Sequence, residues 1–174
     1  HPDIPYAHFL LGMCFYEQIV DEKKDLKSIL DAKKQFELII NDYSSTEFAL
    51  DSKFKIDLIN EVLASKEMYL GKYYLKRKKW IPAINRFKRV INDYETTIYV
   101  EEALHRLVET YYHLGLVGES KKYANTLGYN YQSSVWYKNT YRIFNKEYTD
   151  TIKVIKKDKK EKKGIIKRFK GLFQ

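Results

Sequence analysis

The chain holds one cysteine, three prolines and seven glycines in 174 residues. A single thiol builds neither a disulfide framework nor a zinc site. Cys14 lies in the apolar stretch Leu10-Leu11-Gly12-Met13-Cys14-Phe15 and is expected to be a buried structural thiol. The scarcity of Gly and Pro leaves long stretches free to run as helix. No run of about 18 apolar residues is present, so nothing in the chain reads as a membrane-spanning helix. The chain opens on His1-Pro2, without an initiator Met or a signal peptide, and is expected to be part of a longer protein. Also lacking are a Gly-rich phosphate loop, a nucleophile elbow and a Cys-His arrangement, so no enzyme and no cofactor are expected.

What the chain has is a repeat. Ile-Asn-Asp-Tyr occurs at residues 40–43 and again at 91–94. The match extends upstream: Ala32, Phe36, Ile39, Ile40 and Tyr43 correspond to Ala83, Phe87, Val90, Ile91 and Tyr94 at a shift of 51. Each set is one buried helical stripe. Leu70-Gly71 and Tyr74 precede Trp80 and Ala83 with the spacing of a tetratricopeptide (TPR) helix pair, which predicts that Gly71 and Ala83 face each other where two helices cross. A first copy begins at Leu11-Gly12 and Phe15, and a third, weaker one carries Tyr111, Tyr112, Gly115, Ser120 and Ala124.

A TPR unit has 34 residues, so the shift of 51 leaves 17 extra, Glu47 to Leu63. These contain neither Gly nor Pro, and Leu58, Ile59, Val62 and Leu63 continue in helical spacing toward Tyr69, Leu70, Tyr73 and Tyr74. The insert is therefore expected to fuse with the following helix into one rod of about 40 Å. The predicted helices run from Ile4 to Val20, Ser28 to Asp42, Glu47 to Lys76, Trp80 to Asp93, Ile98 to Leu114 and Gly118 to Leu127. Within Ser133 to Asp150, aromatic residues are spaced as a last, capping helix. Thr46, Thr97 and Gly118 read as helix starts; Asn41-Asp42 and Asn92-Asp93 read as stops. The fold class is all-α, a TPR-like antiparallel helical-hairpin solenoid with one long inserted helix, spanning residues 1–150.

The net charge of +9 is uneven, with +8 of it between Ile152 and Gln174. The repeat domain is nearly neutral, which argues against nucleic acid as a partner. The tail, residues 151–174, is expected to be disordered when free. Its lysine run leads into an amphipathic segment in which Ile165, Ile166, Phe169, Leu172 and Phe173 share one helical face. Lys163, Lys167, Arg168 and Lys170 occupy the other. Such a segment suits an anionic membrane surface or an acidic partner.

Two further groupings carry chemistry. Glu101, His105, Glu109 and His113 recur every four residues, and Glu102-x-x-His105 has the spacing of a di-iron helix. No second such motif exists, so the group reads as a solvated helix face and no metal is expected. The cluster Lys76 to Lys79, with Arg86, Lys88 and Arg89, forms a basic patch beside Trp80 that could dock an acidic partner. Arg86 lies next to the core stripe, between Asn85 and Phe87, where its guanidinium could hold a partner carboxylate in two bonds.

The chain resembles the BamD family, TPR-type lipoproteins of the bacterial outer-membrane β-barrel assembly machinery, from His1 to about Tyr131. The resemblance rests on His1-Pro2-Asp3-Ile4 with Tyr6, Phe9 and Gly12, on Ala32-x-x-x-Phe36, and on Lys72-Tyr73-Tyr74. It continues through Trp80-Ile81-x-Ala83-Ile84-Asn85-Arg86-Phe87, Asp93-Tyr94 with Thr97, and Glu102-Ala103-Leu104 leading to Gly115. It implies a non-enzymatic scaffold at the periplasmic face of the outer membrane, lipid-anchored through an N-terminal Cys not present in this sequence. The implied partners are the last POTRA domain of the barrel subunit, accessory lipoproteins of the machinery and unfolded outer-membrane protein substrates. The position of Arg86 is implied to pair with an acidic POTRA residue; Asn85, Arg89, Lys79 and Trp80 join it as candidate partner-binding residues from the patch itself. A generic TPR adaptor cradling a peptide is the alternative.

Overall fold

A computed structural model describes residues 3–18 and 26–145. Seven helices make up these residues: α1 (Ile4–Glu17), α2 (Lys27–Asp42), α3 (Glu47–Lys76), α4 (Trp80–Asp93), α5 (Val100–His113), α6 (Val117–Asn130) and α7 (Val135–Phe144). Successive helices pack as hairpins, α1 on α2, α3 on α4 and α5 on α6, with α7 closing over α5 and α6. The expected TPR-like solenoid is the architecture of the described residues. The tail expectations, on Lys163, Ile166, Lys167, Arg168, Phe169 and Phe173, lie outside them.

The repeat has a structural meaning at each helix end. Tyr43, Tyr94 and Tyr131 are the residues that terminate α2, α4 and α6, with φ of −133°, −136° and −136°, and each amide bonds the carbonyl four residues back. Three positions later a small hydroxyl follows each one. Thr46 and Thr97 donate their hydroxyls back to Tyr43 O and Tyr94 O at 2.8 Å. Thr46 stands as the N-cap residue of α3, where the start was expected, but neither threonine caps the next helix with its side chain. After Thr97 the chain turns through Tyr99 before α5 begins at Val100. In the third copy, Ser134 does cap, accepting from the Trp136 amide. Nor does Gly118 start a helix; α6 begins at Val117 behind Leu116.

The opposite edge repeats as well. After α3, Lys78 takes a left-handed φ of 57°, and after α5 Gly115 does so at 75°. In both turns two amides close on the helix end: Lys79 N to Tyr74 O and Leu116 N to Tyr111 O, each 2.9 Å, with Lys78 N to Leu75 O and Gly115 N to Tyr112 O beside them. This closure needs one left-handed residue, normally Gly, and Lys78 bears a Cβ penalty there.

Glycine also sets the hairpin crossings. A Cβ on Gly12 would sit 2.8 Å from the ring of Phe36, and one on Gly71 would sit 2.4 Å from the ring of Phe87. The nearest atoms to Gly71 are thus Phe87's, where Ala83 was expected. The aromatic ring fills the gap that the missing side chain leaves, and both rings are fully buried. In the third hairpin, the helix ends align α6 with α4 and α5 with the end of α3 at a shift of 37. Val108 then replaces Gly71 and Ala124 replaces Phe87, so the large and small residues change sides.

Helix α3 is the long inserted rod, 30 residues, about 45 Å at ~1.5 Å per residue. Its N-terminal part contributes Ala49, Ile59 and Leu63 to a core shared with Ile29, Ala32, Phe36 and Ile39. Its C-terminal part contributes Ala64 and Met68 to a second core, with Ala83, Phe87, Val90, Ala103 and Leu107. Each Ile, Leu, Val, Met or Phe side chain among them contributes roughly 1.5–3 kcal/mol on withdrawal from water. Cys14 is exposed, correcting the expected buried thiol. The contact with Phe36 fixes which face of α1 meets α2, and two residues beyond Gly12 is about 200° around the helix.

Candidate protein-docking site

Helices α3 and α4 build a basic hollow. Asn85, Arg86 and Arg89 lie one and four residues apart on α4, so they share a face, and Tyr74 closes the hollow from the end of α3. With Ile81 and Pro82 they line a space of about 290 Å³. Arg86 Nη1 donates to both carboxylate oxygens of Glu67, at 3.1 and 3.0 Å, and Arg89 Nη1 donates to one of them at 3.2 Å. Glu67 is buried, while the two guanidiniums are one third and one half exposed. Two cations share one buried anion, which leaves one positive charge over before the longer contact of Arg89 with Asp93 is counted. Arg89 also reaches Asp93 at 4.0 Å.

The other predicted patch residues diverge from this hollow. Trp80 turns toward α5 and stacks on His113 at 5.9 Å. Lys79 is exposed in the turn ahead of α4. Lys88 lies on the α5 side of the helix, 5.8 Å over the ring of Tyr111. Its hydrogen bond to Tyr111 raises the ammonium above its ordinary value of 10.5 against the smaller opposing effect of burial. The structure therefore brings together Asn85, Arg86 and Arg89, and adds Glu67, which the sequence reading missed. A signal was available: Glu67 falls on the buried stripe of α3 with Ala64, Met68 and Gly71. A carboxylate at such a position needs a cation nearby.

The Glu-His row of α5 is not wholly the solvated face expected of it: His113 is exposed, but α7 and its cap residue meet His105 and Glu101. His105 is buried, its Nδ1 2.8 Å from Thr140 Oγ1 and its ring 5.3 Å from that of Trp136. Its Nε2 lies 3.4 Å from Glu109, which also accepts from Arg106 at 2.7 Å. At the other end, Ser134 bonds Glu101. Among the described residues, no three His, Cys, Asp or Glu side chains converge as a metal site.

Burial alone would raise Glu109, but the bonds from His105 and Arg106 together outweigh it and bring the carboxyl from 4.5 down to about 2. A carboxyl depressed in the folded state stabilises the protein fully above its unfolded value and loses that contribution as pH falls through the folded one. Glu109→Gln should therefore flatten the dependence of melting temperature on pH between about 4.5 and 2. Trp136 fluorescence in a Trp80→Phe background measures it. Parallel profiles for parent and variant would refute the assignment.

Comparison with known proteins follows the same architecture. A family model described as "YfiO: Outer membrane lipoprotein" matches residues 1–127. The chain is 47% identical over 146 residues to the outer membrane protein assembly factor BamD of Rickettsia prowazekii (strain Madrid E), covering 82% of this chain and 58% of that protein. It is 41% identical over 145 residues to that of Caulobacter vibrioides, covering 83% and 48%. To that of Neisseria meningitidis serogroup A it is 28% identical over 125 residues, covering 66% and 47%. The chain spans about half the length of these curated relatives. No helix among the described residues is long and apolar enough to cross a membrane. With the family model covering all three hairpins up to Leu127, the chain belongs to the YfiO family of outer membrane lipoproteins, the BamD family that its repeats resemble.

Proposed function

We propose that this chain is a non-enzymatic scaffold in outer-membrane protein assembly and that the α3–α4 hollow is one of its docking points. The observation that carries this reading is the pair Arg86 and Arg89, anchored from behind by buried Glu67 and presented beside Asn85 on a rigid helix. Arg86 spends Nη1 on Glu67, which leaves its other nitrogens to a carboxylate arriving from outside. The names of the relatives support the assembly role. The family resemblance supports the last POTRA domain of the barrel subunit as the acidic partner. It likewise supports accessory lipoproteins and unfolded barrel substrates as further partners, and residence at the periplasmic face of the outer membrane.

The test is binding of the POTRA domain from the same organism to Arg86→Gln and Arg86→Lys variants. Losing one buried-edge charge pair should weaken binding by at least about tenfold. Lys keeps the charge but not the planar fork, and should restore only part of it. Melting curves of both variants, recorded alongside, separate lost docking from lost folding around Glu67. Full affinity in a folded Arg86→Gln protein would remove the hollow from the interface.

A further inference from the structure

The inserted half of α3 carries a surface stripe that the described fold does not cover. Glu47, Leu50, Asp51, Phe54, Asp57, Leu58 and Glu61 follow one another at spacings of one and three, placing three apolar and four acidic side chains on one face. Leu50, Phe54 and Leu58 are 59%, 62% and 49% exposed. Helix α2 packs on the other side of this segment, against Ala49, Ile59 and Leu63.

The stripe ends in a step. The insert makes α3 overshoot the second hairpin, so the α4–α5 junction meets the rod partway along, where Ile98 N donates to Glu61 Oε1 at 3.2 Å. Phe54, Asp57, Leu58, Glu61, Thr96 and Thr97 line the notch thus formed, about 440 Å³. Ile98 beside it is 76% exposed. Glu61 Oε2 is shielded from water and has no hydrogen-bond partner among the described residues. An apolar row bordered by exposed carboxylates is chemically complementary to a basic amphipathic helix.

Such a segment is present in this chain. Ile165, Ile166, Phe169, Leu172 and Phe173 recur at helical spacing, with Lys163, Lys167, Arg168 and Lys170 between them. We propose that residues 163–173 of the chain's own tail seat on the α3 stripe, apolar face on Leu50, Phe54 and Leu58, and cations on the exposed Glu47, Asp51 and Asp57. The 17 residues between Asn145 and Lys163 reach up to about 60 Å when extended, more than the length of α3.

Crosslinking in the full-length chain tests this. A photoreactive p-benzoylphenylalanine replaces Phe169, and a mixture of light and ¹⁵N-labelled protein is irradiated and mapped. Crosslinks should fall on residues 47–61 and Ile98 within one molecule. Crosslinks spread over the surface, or light–heavy pairs on the stripe showing that a second copy supplies the tail, would overturn the proposal. So would crosslinks that reach the stripe only in the presence of phosphatidylglycerol vesicles. Asp51→Lys with Asp57→Lys reverses two exposed charges and should lower the yield about tenfold. An unchanged yield in that variant, shown folded by its melting curve, would equally overturn it.

Discussion

Gly71→Ala should destabilise the protein by about 2 kcal/mol, although Ala is the better helix former. In an open helical position the substitution gains about 1 kcal/mol. Here the new Cβ would lie 2.4 Å from Phe87, whose ring is fully buried among Ala64, Met68, Ala83 and Leu107. Such a ring yields only by leaving its rotamer or by parting α3 from α4, and overpacking of this kind costs about 3 kcal/mol. The net loss corresponds to a melting temperature lower by roughly 8 °C for a domain of this size. Phe87→Leu in the same chain should recover much of it, because the two residues share one volume. Val108 and Ala124, at the equivalent positions of the third hairpin, are the precedent for exchanging that volume. Additive losses in the double variant would show that the contact does not set the crossing. Gly12→Ala, 2.8 Å from the Phe36 ring, should cost less.

Glu67→Ala is expected to cost about 2 kcal/mol, read from denaturant melts. Removing one member of a fully buried ion pair costs about 3–5 kcal/mol. Arg86 and Arg89 are 32% and 52% exposed, and water reaching them reduces that figure. The arginines should differ: Arg86 bonds both carboxylate oxygens and Arg89 one, so Arg86→Ala should cost more than Arg89→Ala. Equal small losses for all three would mean that the cluster is solvated and that Glu67 does not hold the docking face in shape. The order of effects bears on the proposed docking, because a change at Glu67 removes the anchor of Arg86 without touching the surface assigned there to a partner.

The fold was legible where one stripe and one local signal coincide. Helix α3 has the predicted bounds Glu47–Lys76 and α4 the predicted Trp80–Asp93. Their apolar positions recur at helical spacing from end to end, and the turn between them is only three residues. The misreadings share a cause, which is burial supplied from far along the chain. His105 looks solvated on its own helix, yet Thr140 and Trp136, more than 30 residues later, enclose it. Arg86 stands in the sequence as a cation available to a partner, and its internal counter-charge lies 19 residues earlier on another helix. Cys14 misled in the opposite direction: its neighbours are apolar, but only one side of α1 meets α2. The site was half visible, since residue type and spacing on α4 mark Asn85, Arg86 and Arg89, while only the folded arrangement turns Trp80 and Lys88 away.

Leu63 belongs to the first core and Ala64, its immediate neighbour, to the second. A single peptide bond is thus the border between two packed interiors, and Tyr94 touches both. An ordinary repeat array can fray from one end, unit by unit; here the shared spine ties the fates of adjacent units together, so melting either one strips support from the other. Force applied by a bound protein at the α3–α4 hollow would travel along that spine as rotation of a stiff beam instead of being absorbed in a hinge.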